Sequence, residues 1–436
     1  MSRACLRYTG CCSMTDDALL PVDDALDVVL ENVRPLSVED VALQSALNRY
    51  LGEAVAATLD LPPFTNSAMD GFALRHGDTP GRLELIGESA AGSPFTGELG
   101  PGQAVTISTG AVLPEGADAV VPIEWVGSVT TGPTTGTIVD VPRPVPHDHS
   151  VRHAGSDVRR GDEVLPAGIR IGAGQIGAAA SLGLSSLRCG ELPRVAVLTT
   201  GSELRAPGAR LGAGEIYDSN GPLLQAALTG AGADVTLIPA AADTRDAHRA
   251  AIERALKFDV VLSTGGVSVG GHDLVREIER ELGVRELFWR IALKPGKPLS
   301  FGVRSRTVRS STHSRRPAGQ RPHERTILFG IPGNPVSVLV CFELFVRPAL
   351  AAMQGASQPR PVFTRATLTA AVQQNPERDE MIRVRLHGDG GVEPLRGQQS
   401  HQLALSARSD GLARIPAGSA ILAPGSEVSY LPLGVS

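Results

Sequence analysis

Asp259–Asp273 reads DVVLSTGGVSVGGHD, and its two halves obey different physics. The apolar run at its start is what a buried strand requires. Glycines then replace side chains, letting the backbone turn and bring N–H groups close to a ligand's oxygens. Ser263, Thr264, Gly265, Gly266 and Ser268 supply the parts of an anion-binding nest. A tight turn that needs glycine for steric reasons alone reads the same way. The lysine of a nucleotide-triphosphate loop is missing, because G-x-x-x-x-G-K-[ST] occurs nowhere in the chain. Nor does a G-x-G-x-x-G open a helix after a strand with a ribose-binding acid at the expected distance. ATPase and dehydrogenase readings are thereby set aside.

Outward from this stretch the same unit repeats. RVAVLTTG ends in TGSEL; Asn220 and Pro222 open PLLQAALTGAG, which Gly230 stops. ADVTLIPAA leads to Asp243, read as the N-cap of TRDAHRAAIERALK. Strands alternating with such helices predict a parallel, doubly wound α/β domain over 191–355, with ligands beyond the carboxyl ends of its strands. TTGSEL, STGGVSVGG and FGIPGNP all follow apolar strands and fall on that edge. Asp273 reads as the N-cap of LVREIERELG and, without conflict, as a carboxylate able to carry Mg2+ to a phosphate. IALKPGKPLSFG sets Lys294 and Lys297 around Pro295 and Gly296. Two lysines on a turn are ordinarily just solvated, but the apolar flanks place these at a pocket edge, where paired cations attract an oxyanion.

The rest of the chain has other textures. Two helical patterns are expected between Val22 and Leu51, the second being VEDVALQSALNRYL after Ser37, with Val41, Leu43 and Leu47 as a partial apolar face. Residues 21–58 and 151–190, with a helix from Gly172 to Leu182, are grouped as an elongated helical segment. Residues 59–150 carry short β-rich runs such as AVTIST and AVVPIEWV, and a second β domain is expected over 356–436 after the linker GASQPRP. The fold class is thus multidomain, a doubly wound α/β unit with two β-rich domains and an elongated helical segment. Arg304–Arg325 holds seven arginines against one glutamate and reads as a disordered, solvated basic insert; lying between KPGKP and GIPGNP, it is also placed to act as a gate. In LPPFTNSAMDGFAL, Asp70 is either a turn aspartate or a carboxylate at a site mouth. PHDHSVRH clusters His147, Asp148, His149 and His153 in a Pro-rich connector without a preorganising element, which argues against a metal there.

Bulk properties bound the function. A chain of 436 residues, 42% hydrophobic, supports two to four domains. Its net charge of −5 gives no electrostatic case for nucleic acid, so any bound anion is held by local basic groups. Five cysteines form neither a disulfide framework nor a zinc spacing, which fits a reducing cytoplasm. Without a long apolar window or an apolar secretory core, no membrane is expected, and residues 1–20 read as a loose tail.

Taken together, LPPFTNSAMDGFAL, ISTGAVLPEGADAVVPIE, LTTGSEL, IYDSNGPLL, STGGVSVGGHD, ALKPGKP, GIPGNPVS, RDEMIR and QQSHQLALSARSDGLARIP resemble, in order, the molybdopterin molybdenumtransferase family: the MoeA proteins and the E domain of gephyrin. The resemblance implies an elongated four-domain protomer with a MogA-like molybdopterin-binding domain, acting as a homodimer. It implies that molybdate replaces adenylate on adenylated molybdopterin, releasing AMP with Mg2+ present, and that the opening loop cradles the phosphates. Family positions fall on Asp70, Thr109, Arg152, Asp157, Glu203, Asp243 and Asp273. Lys294 and Lys297 match its basic pair, and Ser337, Arg378 and Ser400 match positions around molybdate. By the same resemblance Asp273, with Glu203 or Asp243, is expected to hold Mg2+, while Asp70 and Thr109 reach the partner's site. VRHAGSDV around Arg152 departs from the arginine and glutamate common in relatives. Two other readings remain beside this one: a gephyrin-like scaffold, and the preceding adenylation step, whose enzyme is a natural supplier of substrate.

Overall fold

Alternation along the strand Arg194–Thr199 explains why the central sheet is covered on both faces. Val195 and Val197 enter the apolar cluster on one side, Ala196 and Leu198 that on the other. Val260 and Leu262 against Val261, and Phe329 and Ile331 against Leu328, repeat the division. In this computed structural model, which describes residues 19–132, 136–238, 244–265, 274–305 and 325–434, these strands belong to a six-stranded sheet. Its spatial order is Asp234–Ile238, Arg194–Thr199, Val260–Thr264, Arg325–Ile331, Ser300–Ser305, Arg285–Trp289. The first four strands are mutually parallel, Ser300–Ser305 runs against them, and the edge strand Arg285–Trp289 pairs antiparallel with Ser300–Ser305. The expected parallel sheet therefore carries an antiparallel edge, because the stretch between Trp289 and Ser300 is too short for the crossover that parallel strands need.

The helix Val22–Asn32 buries Val22, Ala25, Leu26 and Val29, an i, i+3, i+4, i+7 stripe, in the same core as Pro335–Met353. Pro335–Met353 is the one helix among the described residues long and apolar enough to cross a membrane, and 78% of its apolar window is buried inside the protein. On the opposite face lie Arg245–Ala255 and Leu274–Glu281. The cap of the former is Thr244, whose side chain accepts from the Ala247 N–H, rather than Asp243.

The second helix expected after Ser37 does not form. Val38–Ala42 instead pairs antiparallel with Ser186–Gly190, a short 3-10 turn covers Leu43–Ser45, and Leu47 is 53% exposed. A distant strand partner overrides the local pattern, since Val41 reaches an apolar cluster with Leu187 and Cys189 only as a strand residue. The helix expected near Gly172 is Ala173–Ser181. Leu20, assigned to the loose tail, bridges to Ile291, and the Leu20 carbonyl accepts from the Ala292 N–H. Arg304 and Ser305 pair with Thr326 and Arg325, so the ends of the expected basic insert are strand; its residues 306–324 lie outside the described residues.

Two further six-stranded sheets form the small β domain, cored by Phe72, Leu74, Leu83 and Val139, and the C-terminal domain, cored by Ile382, Val384, Val392 and Ala413. Leu293–Lys294 joins the C-terminal sheet in parallel, with Lys294 opposite Glu380.

Asp259 registers the start of the central strands. Its side chain is fully buried, accepts from the Arg194 N–H and guanidinium at 3.0–3.2 Å, and its carbonyl accepts from the Ile327 N–H. Removing the guanidinium leaves that carboxylate buried without its cationic partner. Arg194→Ala is therefore expected to lower stability by about 3 kcal/mol, measured as a reduced urea midpoint. Arg245→Ala, whose partners Glu277 and Glu281 are exposed, should leave the midpoint nearly unchanged.

Candidate functional site

Three strand ends interlock at the carboxyl edge of the central sheet. The N–H and hydroxyl of Thr200 both donate to the Thr264 carbonyl, at 3.2 and 3.0 Å, and the Gly265 N–H donates to Ile331 at 3.3 Å. Gly265 sits at φ +85°, and a Cβ there would stand 2.9 Å from the Thr200 carbonyl, so the turn demands glycine. Gly333 lies close by, since its own Cβ would come 3.7 Å from Gly265 Cα. The Gly333 carbonyl accepts from Asn220 Nδ2 at 2.7 Å, which brings the helix Asn220–Gly230 to the same edge. Ser263 and Thr264 were expected in the nest; they are the last residues of a strand instead, 1% and 2% exposed, because they pair on both sides. Gly266, Ser268, Asp243 and Asp273 lie outside the described residues.

Beside these turns opens a cavity of about 490 Å³ lined by Lys294, Lys297, Asn334, Ser337, Arg378 and Ser400. Both lysines come from one turn, fixed by the Lys294–Glu380 pairing and by an Ile291 N–H bond to the Lys297 carbonyl at 2.9 Å. Gly296 lets this turn press on the core: a Cβ would meet Leu293 Cδ2 at 2.9 Å and Cys341 Sγ at 3.1 Å. Ser337, buried, lies in the first turn of Pro335–Met353. Ser400 comes from the C-terminal domain, and its carbonyl accepts from the Val336 N–H at 3.1 Å, closing the two domains on one another. The Arg378 N–H donates to Asn375 Oδ1 at 3.1 Å.

Three cations, two hydroxyls and a helix N-terminus around one open volume suit a compact oxyanion. Lys294 Nζ is 2.9 Å from Glu380 Oε1, so one of the three is partly neutralised. Among the described residues, the buried polar atoms without a partner include Asn220 Oδ1, Ser263 Oγ and Arg378 Nε, all near this edge. Buried polar atoms are rarely left so, and a ligand is one way to satisfy them.

The fold brings together Lys294, Lys297, Ser337, Arg378 and Ser400 around one cavity. Glu203, exposed, stands near the glycine edge, its carboxylate folded so that a Cβ on Gly201 would meet it at 2.6 Å. Asp70, Thr109, Arg152 and Asp157 do not line the cavity of their own chain. They gather around the segment 61–71: Asp70 Oδ1 accepts from the Thr109 N–H at 2.7 Å, Arg152 pairs with Asn66, and the Asp157 N–H donates to Leu61. In the histidine-rich connector, Asp148 pairs with His147 and His153 at 3.1 Å each, and His149 stacks on Trp125. Sequence reasoning missed Glu380 and Asn334, although both fall inside RDEMIR and GIPGNPVS.

Comparison with known proteins agrees along most of the chain. Residues 20–183 match the MoeA N-terminal region (domains I and II), 196–352 a probable molybdopterin binding domain, and 365–433 the MoeA C-terminal region (domain IV). The chain is 36% identical to a molybdopterin molybdenumtransferase of Haemophilus influenzae over 78% of its own length and 79% of the relative's. With molybdopterin molybdenumtransferase 2 of Mycobacterium tuberculosis it shares 34% identity over 93% and 98%. The crystal structure of the molybdopterin biosynthesis MoeA protein from Pyrococcus horikoshii OT3 superposes with a TM-score of 0.77 at 27% identity, covering 95% of this chain and all of that one. The chain belongs to the MoeA family of molybdenum cofactor biosynthesis.

Proposed function

We propose that the protein is a molybdopterin molybdenumtransferase that replaces the adenylate of adenylated molybdopterin with molybdate and releases AMP. The observation that carries this reading is the cavity of Lys294, Lys297, Ser337, Arg378 and Ser400 directly beside the glycine turns. A phosphate group seated on the turns would then lie next to an oxyanion held by cations and hydroxyls. Cleaving a pyrophosphate calls for charge neutralisation and alignment more than for a covalent nucleophile, and the described residues supply both. The lysine turn and Arg378 orient molybdate and offset its charge, while Ser337 and Ser400 donate to its oxygens.

Mg2+ takes oxygen ligands from one or two carboxylates together with substrate phosphates. Glu203, at the sheet edge, fits that donor type, and Asp243 and Asp273 are its proposed companions. When bound, the metal would neutralise charge on the pyrophosphate. The proposed assembly is a homodimer in which Asp70 and Thr109 of one protomer complete the partner's site. Their separation from the cavity of their own chain supports this reading. Its proposed place is the cytoplasm, in keeping with Cys189 and Cys341, both free and buried. The adenylated substrate would come from a molybdopterin adenylyltransferase.

Three outcomes test this. With adenylated molybdopterin, molybdate and Mg2+, Asp273→Asn should abolish Mg2+-dependent AMP release while its melting curve stays that of the parent; retained activity would refute the metal role. Lys297→Ala removes one charge-assisted contact and should lower kcat/KM for molybdate about 10- to 100-fold. Finally, Asp70→Asn and Lys297→Ala chains, each weakly active alone, should regain roughly a quarter of parental activity when refolded together, since mixed dimers hold one intact site. No recovery would place Asp70 in its own chain's site or in none.

A further inference from the structure

Among the described residues, Arg383 heads the fully buried side chains by size, at 1% exposure. A buried guanidinium normally faces a carboxylate, yet among the described residues none pairs with this one. Its donors go to neutral oxygens. Nη1 donates to the Gln402 carbonyl at 2.5 Å and to Ser406 Oγ at 3.3 Å; Nη2 donates to the carbonyls of Gly397 at 2.5 Å and Gln399 at 3.2 Å. Nε donates to Gln398 Oε1 at 3.4 Å. The Gln398 amide returns the contact by donating to the Arg383 carbonyl at 2.9 Å. Burial lowers the guanidinium pKa from its ordinary value, so the charge is held at a cost that packing alone does not require.

What that cost secures is one loop. The contacts fall at Gly397, Gln398, Gln399, Gln402 and Ser406, on both sides of Ser400, whose carbonyl is docked on the Val336 N–H. The same loop supplies Gln398, Gln399 and His401 to the cavity wall. Arg378 lies at the head of the strand Asp379–Leu386 that carries Arg383. A planar fork with five donors can span several carbonyls at fixed angles, which the point charge of a lysine cannot.

We propose that Arg383 is a positioning residue for oxyanion recognition: its guanidinium holds the Gly397–Ser406 loop so that Ser400 is preset against Lys294, Lys297 and Arg378. It touches no substrate. Its uncompensated charge, one layer behind the wall, also favours an anion in the cavity. This inference rests on the transferase reading above.

The experiment compares the parent protein with Arg383→Lys, which keeps the charge and loses the fork. Molybdate binding to the protein is measured by calorimetry, and AMP release from adenylated molybdopterin is followed against molybdate concentration. The expected result is a molybdate Kd and KM raised about tenfold, with the KM for adenylated molybdopterin close to its parental value, whatever melting temperature the lost carbonyl contacts cost. A merely structural staple would instead lower the melting temperature and, through the folded fraction, the apparent kcat, while leaving both KM values at their parental levels. That result, or an unchanged molybdate KM in Arg383→Lys, overturns the proposal. Should Arg383→Lys fail to fold, Ser406→Ala, which removes a single Nη1 contact, carries the test. A molybdate KM raised about threefold supports the proposal, and an unchanged one overturns it. If the parent itself neither binds molybdate nor releases AMP, the transferase reading fails, a result distinct from either.

Discussion

Lys294, Lys297 and Arg378 face one cavity, and like charges gathered this way repel until an anion arrives. The surrounding structure has to oppose that repulsion continuously. It does so with backbone constraints rather than with full neutralisation: among the described residues, only Lys294 of the three has a carboxylate, Glu380, within contact. The lysine turn is stitched to the C-terminal sheet and shaped by Pro295, Gly296 and Pro298, which leave it few other conformations. An arrangement that is unfavourable when empty becomes favourable around a dianion, and because the groups are already in place little ordering entropy opposes binding.

The same requirement explains how the domains are joined. The cavity has one wall on the α/β domain and another on the C-terminal domain, so its geometry is only as fixed as their junction. Arg414 secures that junction, bridging Asp23 on the N-terminal helix at 3.0 Å and Asp379, the neighbour of Arg378, at 2.6 Å. Arg360 pairs with Asp27 one turn further along that helix. Met381, Leu412 and Leu431 of the C-terminal domain meanwhile enter the apolar core of the α/β unit. An N-terminal helix distant in sequence thus becomes a clamp across the domain junction.

Much of this was legible in the sequence where local physics dictates structure. Strands buried on both faces read as continuous apolar runs, glycine turns announce themselves, and Lys294–Lys297 stands out between apolar flanks. The stretch after Ser37 was misread because its acids and spaced apolar residues suit a helix start as well as a strand, and its partner, Ser186–Gly190, lies far along the chain. Ser263 and Thr264 read as loop because polar residues before glycines look like a turn, whereas pairing on both sides keeps them in the sheet. Arg383 escapes notice for a related reason. In the alternating run MIRVRL a polar residue reads as the solvent side of a strand, and nothing local reveals that a loop and a second domain cover it.

Strand direction also fixes where the basic insert is rooted. In sequence it stands between KPGKP and GIPGNP, two segments that meet at the cavity, which suggested a gate. Its roots, however, are Ser305 and Arg325, paired with one another, while Ser300 pairs with Gly330 at the other end of the same hairpin. Arg325–Ile331 runs parallel to Val260–Thr264, so Ile331 lies at the carboxyl edge with the glycine turns and Arg325 at the amino edge. The strand between them spans roughly 20 Å at about 3.3 Å per residue. Both roots of the insert, Ser305 and Arg325, therefore lie on the side of the sheet opposite the cavity. Nearness in sequence to both motifs follows from the hairpin carrying the chain away from the site and back, and gives no support to a gate.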